Sequence, residues 1–223
     1  MSKRAKMRVI ITGATGMVGE GVLHECVLSS DVEQVLVINR KPCGVEHPKV
    51  KEVLHPDFFD LSEVAHEMTG YDACFFCLGI SSVGVSKDVY FKTTHTLTLH
   101  FAETVCRNNP GMTFIYVSGA GTDSTEKGNS NWARVKGKTE NDLMRMPFKR
   151  VYAFRPGFML PTQGLKNANS YYKLMNWIFP LGKRFYRVGF STLKEVGQAM
   201  INVVKNEYPK QIIDGNDIAK LSK

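Results

Sequence analysis

Thr12-Gly13-Ala14-Thr15-Gly16-Met17-Val18-Gly19 stands directly between an apolar run, Met7 to Ile11, and a segment whose apolar residues recur at helical spacing, Met17 to Leu28. The run before it reads as a buried parallel strand and the segment after it as an amphipathic helix carrying Val18, Val22, Cys26 and Val27. In that setting each glycine has a task. The first permits a tight turn, the second lets backbone amides approach a pyrophosphate, and the third allows the helix to pack closely. The positive end of the helix then faces the anion. Gly13, Thr15, Gly16, Met17, Val18 and Gly19 are therefore the expected contacts of a dinucleotide cofactor.

A second strand is predicted over Gln34 to Ile38, and the residues at its end decide which dinucleotide is preferred. A fold selective for NAD places a carboxylate there, about twenty residues beyond the loop, to hold the adenosine ribose hydroxyls. This chain has Asn39-Arg40-Lys41 instead. No acid is present to repel a 2′-phosphate, and the Arg40 guanidinium can pair with one through two charge-assisted hydrogen bonds. Asn39 and Arg40 are thus added to the cofactor site, and NADP is expected ahead of NAD.

Working outward, strands are predicted at Val50 to Leu54, Ala73 to Leu78, Thr113 to Val117 and Arg150 to Phe154, with helix-length stretches between them. The longest helical stretches are Asp88 to Arg107 and Trp132 to Met146. Strands alternating with helices imply an α/β fold, a Rossmann-type doubly wound parallel sheet. The pattern changes after Arg155-Pro156-Gly157. An aromatic stretch runs from Tyr171 to Phe190, followed by a helix near Leu193 to Lys205 and a return to the sheet at Gln211 to Ile213. Residues 1–223 are read as a single domain, of which 157–223 contribute a small C-terminal cap on the substrate side. The aromatic stretch itself reads as core of that cap, as a lid, or as a surface for a partner or membrane.

Composition narrows the function further. The 223 residues are 43% hydrophobic, ordinary for one globular unit, and contain no apolar run of transmembrane length. The first residues lead into the strand without an apolar leader, so a soluble, cytoplasmic protein is expected. The formal net charge of +8 suits an anionic ligand, but the basic residues are scattered and form no recognition motif, so specific nucleic acid binding is not expected. Five cysteines at irregular spacing argue against a disulfide framework. Cys74 and Cys77 form a C-x-x-C, yet residues three apart on a strand point to opposite faces, and no metal site is expected.

The chain resembles the atypical and extended branches of the short-chain dehydrogenase/reductase superfamily, which include sugar-nucleotide epimerases and the human Tat-interacting-protein group. The resemblance rests on the glycine loop, Cys77-Leu78-Gly79 after the fourth strand, Val117-Ser118-Gly119-Ala120 after the fifth, Lys136 on the next helix and Arg155-Pro156-Gly157 after the sixth. It implies hydride transfer to or from a nicotinamide. A tyrosine moves the oxygen-bound proton, a lysine four residues later lowers the tyrosine pKa and holds the nicotinamide ribose, and a serine orients the substrate oxygen. It also implies that Cys77, Leu78, Gly79, Pro156, Gly157 and Phe158 wall the cofactor. Ser118 and Lys136 are the catalytic candidates, but the residue four before Lys136 is Trp132, and no tyrosine in the chain is followed by a lysine at that spacing. An indole N–H donates a hydrogen bond and does not act as a proton-transfer acid.

Two functions therefore stand. One is an NADP(H)-dependent oxidoreductase or epimerase-like enzyme acting on a small-molecule substrate without the tyrosine. The other is a non-catalytic NADP(H)-binding regulator or redox sensor acting through a protein partner.

Overall fold

The computed structural model describes residues 6–167 and 189–223. Its elements run β1 (Met7–Thr12), α1 (Met17–Leu28), β2 (Val32–Asn39), β3 (Val50–Leu54), β4 (Ala73–Phe76), α2 (Lys87–Phe91), α3 (Leu97–Asn108), β5 (Thr113–Val117), α4 (Asn131–Met144), β6 (Arg150–Phe154), β7 (Phe158–Leu160), β8 (Phe190–Thr192), α5 (Leu193–Asn206), β9 (Ile212–Ile213) and α6 (Gly215–Leu221). Seven of these strands form one parallel sheet in the order β3-β2-β1-β4-β5-β6-β9. β7 and β8 make a separate parallel pair. The strand order reverses between β1 and β4, and in a doubly wound sheet the crevice beyond the carboxyl ends at that point is where ligands bind.

Both faces of the sheet are covered, which is why its strands are apolar at nearly every position. Val9, Ile11, Val35, Val37, Phe75, Ile115 and Phe154 face one layer with residues of α1 and α5. Ile10, Leu36, Ile38, Cys74, Phe76, Phe114 and Tyr116 face the other, under Phe101 and Val105 of α3. Cys74 thus lies in one layer while Cys77 packs against the other, as their spacing predicts.

Three differences from the sequence reading have physical causes. The fourth strand stops at Phe76, short of the expected Leu78, because the chain turns there and brings Cys77 and Leu78 backbone against Gly13. The helix expected to run unbroken from Asp88 to Arg107 contains a π-helical turn at Lys92–Thr96. The Thr93 hydroxyl, inside the turn, donates back to the Val89 carbonyl, and the Thr98 hydroxyl, just after it, to the Thr94 carbonyl within it, a back-bonding that competes with regular helix geometry. The short β7–β8 pair and α6 carry no periodicity long enough to read.

Candidate functional site

The glycine loop closes as its sequence requires. Gly13 has φ of +73°, and a Cβ there would lie 2.8 Å from the backbone of Cys77 and Leu78. A Cβ at Gly19 would lie 2.2 Å from the Gly13 carbonyl oxygen. Only glycine lets the loop sit against both β4 and the first turn of α1. Gly16 begins α1 without a side-chain cap, so the first N–H groups of the helix are left for an anion. Thr12 contributes a buried hydroxyl with no partner among the described residues, and Thr15 is exposed at the turn.

Asn39 pins the loop to β2. Its Oδ1 accepts the Ala14 N–H at 3.2 Å, and its Nδ2 donates to Glu52 Oε1 at 3.1 Å. Arg40, the next residue, is exposed.

At the carboxyl ends of the strands lies a cleft of about 450 Å³. It brings together Gly16, Met17 and Val18 from the loop, Cys77, Leu78 and Gly79 after β4, Ser118 after β5, Trp132 and Lys136 on α4, and Pro156 and Gly157 after β6. Residues as far apart in sequence as Gly16 and Gly157 therefore share one surface. Gly13 and Gly19 stand behind it as packing residues, while Asn39 and Arg40 lie beyond it along β2. Phe158 does not line the cleft; its ring lies 5.7 Å from that of Phe190, and Met159 lines it instead.

The polar side chains in the cleft are ordered. Ser118 is buried and its hydroxyl donates to the Phe154 carbonyl at 3.2 Å. The Lys136 ammonium donates to the Ser118 carbonyl. Burial lowers the Lys136 pKa from an ordinary 10.5 to about 8, against the opposing pull of Glu140 one turn along α4. Glu140 is itself buried and paired with Arg155, whose Nε donates to it at 3.0 Å. That pair fixes the start of the Arg155-Pro156-Gly157 wall relative to α4. Trp132 stands one turn before Lys136, and its ring lies against Gly121. Burial also raises the Cys77 thiol to about 12, so it stays protonated and is no thiolate nucleophile.

His95 does not enter the cleft. It is buried, and its Nε2 lies 2.8 Å from Asp142 Oδ2. A smaller cleft of about 260 Å³ opens beside the start of β1, where Lys205 pairs with Asp31 at 2.8 Å and Lys149 with Glu207 at 3.1 Å. Those four charges are spent on one another. The aromatic stretch expected to act as cap, lid or surface falls almost entirely outside the described residues.

Sequence reasoning missed Ile80, Val117, Gly119, Ala120 and Met159 as lining residues. Most adjoin residues it named. Met159 was accessible by parity, since in an extended segment Gly157 and Met159 share a face and Phe158 takes the other.

The cleft fits a dinucleotide: glycine-enforced backbone amides at one end, a lysine at the other, and no carboxylate among its lining residues. Comparison with known proteins agrees. The chain is 24% identical over 228 residues to the protein FMP52, mitochondrial, of Saccharomyces cerevisiae, covering 97% of this chain and 96% of that one. It is 28% identical over 160 residues to the protein HTATIP2 of Rattus norvegicus, covering 71% of this chain and 65% of the rat protein, just under two thirds of its length. The solved ADP-L-glycero-D-manno-heptose-6-epimerase of Helicobacter pylori superposes with a TM-score of 0.69 at 14% identity, over 99% of this chain and 82% of that chain; at that identity the likeness shows the fold.

One expectation is corrected. FMP52 relatives from several fungi carry the word mitochondrial in their names, which points away from the cytoplasm. The sequence reading relied on the lack of a leader-like apolar segment, and that criterion does not address a mitochondrial location. No helix among the described residues is long and apolar enough to cross a membrane. The family described as NAD dependent epimerase/dehydratase matches residues 9–132, more than half of the chain and the part that builds the glycine loop and the floor of the cleft. On the fold, the loop and this match together, the chain belongs to the NAD dependent epimerase/dehydratase family.

Proposed function

We propose that the chain is an NADP(H)-dependent oxidoreductase acting on a small-molecule carbonyl or alcohol. The observation that carries this reading is the Lys136 ammonium, held in the cleft beside Ser118 with its pKa lowered to about 8. The N–H groups at the start of α1 bind the pyrophosphate, and Gly13 and Gly19 keep the backbone close enough to do so. Arg40 binds the 2′-phosphate of the adenosine ribose, and Asn39 holds the end of β2 against the loop. Cys77, Leu78, Gly79, Pro156, Gly157 and Met159 wall the nicotinamide half, with Phe158 behind them. The nicotinamide, when bound, supplies or takes up a hydride.

Ser118 orients the substrate oxygen by turning its hydroxyl from the Phe154 carbonyl into the cleft. Lys136 Nζ carries the proton which that oxygen gains or loses, since Trp132 occupies the place of the usual proton donor. A lysine near pKa 8 is suited to this task at neutral pH, where an ordinary lysine is too weak an acid.

Trp132 favours a second reading, in which the chain binds NADP(H) without turnover and acts as a regulator through a protein partner. Fluorescence titrations with NADPH and NADH test the binding common to both. The wild-type protein is expected to prefer NADPH, and Arg40→Ala to weaken NADPH by roughly tenfold, the scale of one lost charge-assisted contact, while leaving NADH unchanged. An equal affinity for both cofactors would overturn the NADP assignment. Assays over a panel of aldehydes and ketones then separate the readings. Activity in the wild-type protein that is abolished in Lys136→Met and enhanced in Trp132→Tyr supports the enzyme; inactivity of both wild type and Trp132→Tyr leaves the regulator.

A further inference from the structure

Glu20 stands in the first turn of α1, buried, with both carboxylate oxygens engaged: one accepts the Lys166 N–H and the other the Asn167 N–H, each at 2.8 Å. The loop that follows β7 is thereby tied to the helix of the glycine loop. Its Lys166 side chain reaches farther. The ammonium lies 3.8 Å from where a Cβ on Gly44 would stand, which places it over the loop that leaves β2.

That loop is folded back on itself. Asn39 Nδ2 and the Cys43 N–H both donate to the same Glu52 oxygen, at 3.1 and 2.9 Å. Its two ends are pinned together, and Arg40 and Lys41 are left exposed between them. One Glu52 oxygen takes both neutral donors, and no ion pair joins its carboxylate to Arg40, Lys41 or Lys166 among the described residues. Among the described residues no hydrogen bond or ion pair occupies the side chains of Arg40, Lys41 or Lys166, although Lys166 is carried by an anchored backbone. Arg40, Lys41 and Lys166 border one loop with no ion-pair partner among the described residues; like charges so placed repel one another, and a polyanion between them removes that cost.

We propose that Lys166 is a second, specificity-determining cation for the 2′-phosphate of NADP(H), supplied by the loop after β7 and positioned by Glu20. This rests on the assignment of Arg40 to that phosphate. Arg40 approaches from the end of β2 and Lys166 from across the loop, so the phosphate is held from two elements and NADH lacks the group that either would grip.

The test is titration of NADPH and NADH into wild-type protein, Lys166→Met, Lys166→Arg and Glu20→Gln at fixed ionic strength. Lys166 is exposed, and its replacement leaves the packed core untouched. Expected is a loss of roughly tenfold in NADPH affinity for Lys166→Met, with NADH changed less than about twofold and Lys166→Arg retaining most of the preference. Glu20→Gln should weaken NADPH in the wild-type background and add little to Lys166→Met, the signature of a residue acting through another. A wild-type preference for NADPH that survives Lys166→Met overturns this inference and leaves the Arg40 assignment standing. No wild-type preference at all overturns both.

Discussion

Lys136 is a cation held where a cation is costly, and that cost has a sign. Its folded-state pKa of about 8 lies below the ordinary 10.5 because burial disfavours the ammonium, with Glu140 opposing the shift. The folded protein therefore binds fewer protons than the unfolded chain between those values, and stability rises with pH across that window. Below about pH 8 the buried charge is a standing penalty. Lys136→Met removes it, so the variant is expected to be more stable than wild type to urea at pH 7, with the gap narrowing as pH rises from 8 to 10. A gap that does not change with pH would show that Lys136 is not titrating there. In the enzyme reading, carbonyl reduction falls over the same range as Lys136 loses its proton. These residues were legible to different degrees. Gly13, Gly19, Ser118 and Lys136 stand in fixed relation to strand ends, and their places follow from the order of the strands. The Glu20 carboxylate and the Lys166 amide are 146 positions apart, and no local pattern reports a contact made only when two loops meet.

At the scale of elements, α1 and α5 approach so closely that each needs a glycine. A Cβ at Gly21 would lie 2.8 Å from the Leu193 Cβ, and one at Gly197 would lie 2.7 Å from the Glu25 Cβ. The contact matters for the site because α1 presents its first turn to the cleft. Gly197→Val forces the helices apart; overpacking of this kind costs about 1–3 kcal/mol, or about 2–12 °C in Tm for a domain of this size. Thermal unfolding of the variant checks it, and an unchanged Tm would mean the two helices have room to spare. The helices were legible as elements, and α1 has the bounds its apolar spacing predicts. What α1 packs against was not. Gly21, Glu20 and Glu25 are all buried, so its polar side is covered as well, which a search for one apolar face does not reveal. The π-helical turn escaped for a related reason: apolar spacing reports a face, not the hydrogen-bond step that winds it. Within that turn His95 reaches Asp142 of α4.

The cleft draws its lining from the chain just beyond β1, β4, β5 and β6 and from α4, so a dinucleotide bound there would bridge both halves of the sheet and bind only the folded chain. Ligation of that kind stabilises by mass action, about 2.7 kcal/mol at a ligand concentration one hundred times the Kd. For a domain of this length that is about 5–11 °C in Tm. The net charge of +8 favours the more anionic partner. NADPH is therefore expected to raise Tm by that amount in a single transition, and NADH at equal concentration to raise it less. Added salt should narrow the difference, because the cations proposed to grip the 2′-phosphate are exposed and ions screen them. A shift that splits the transition in two would mean that the cleft's two sides unfold separately and that the cofactor clamps only one. A saturating shift equal for both nucleotides would place the binding energy in the glycine loop alone and take Arg40 out of the site.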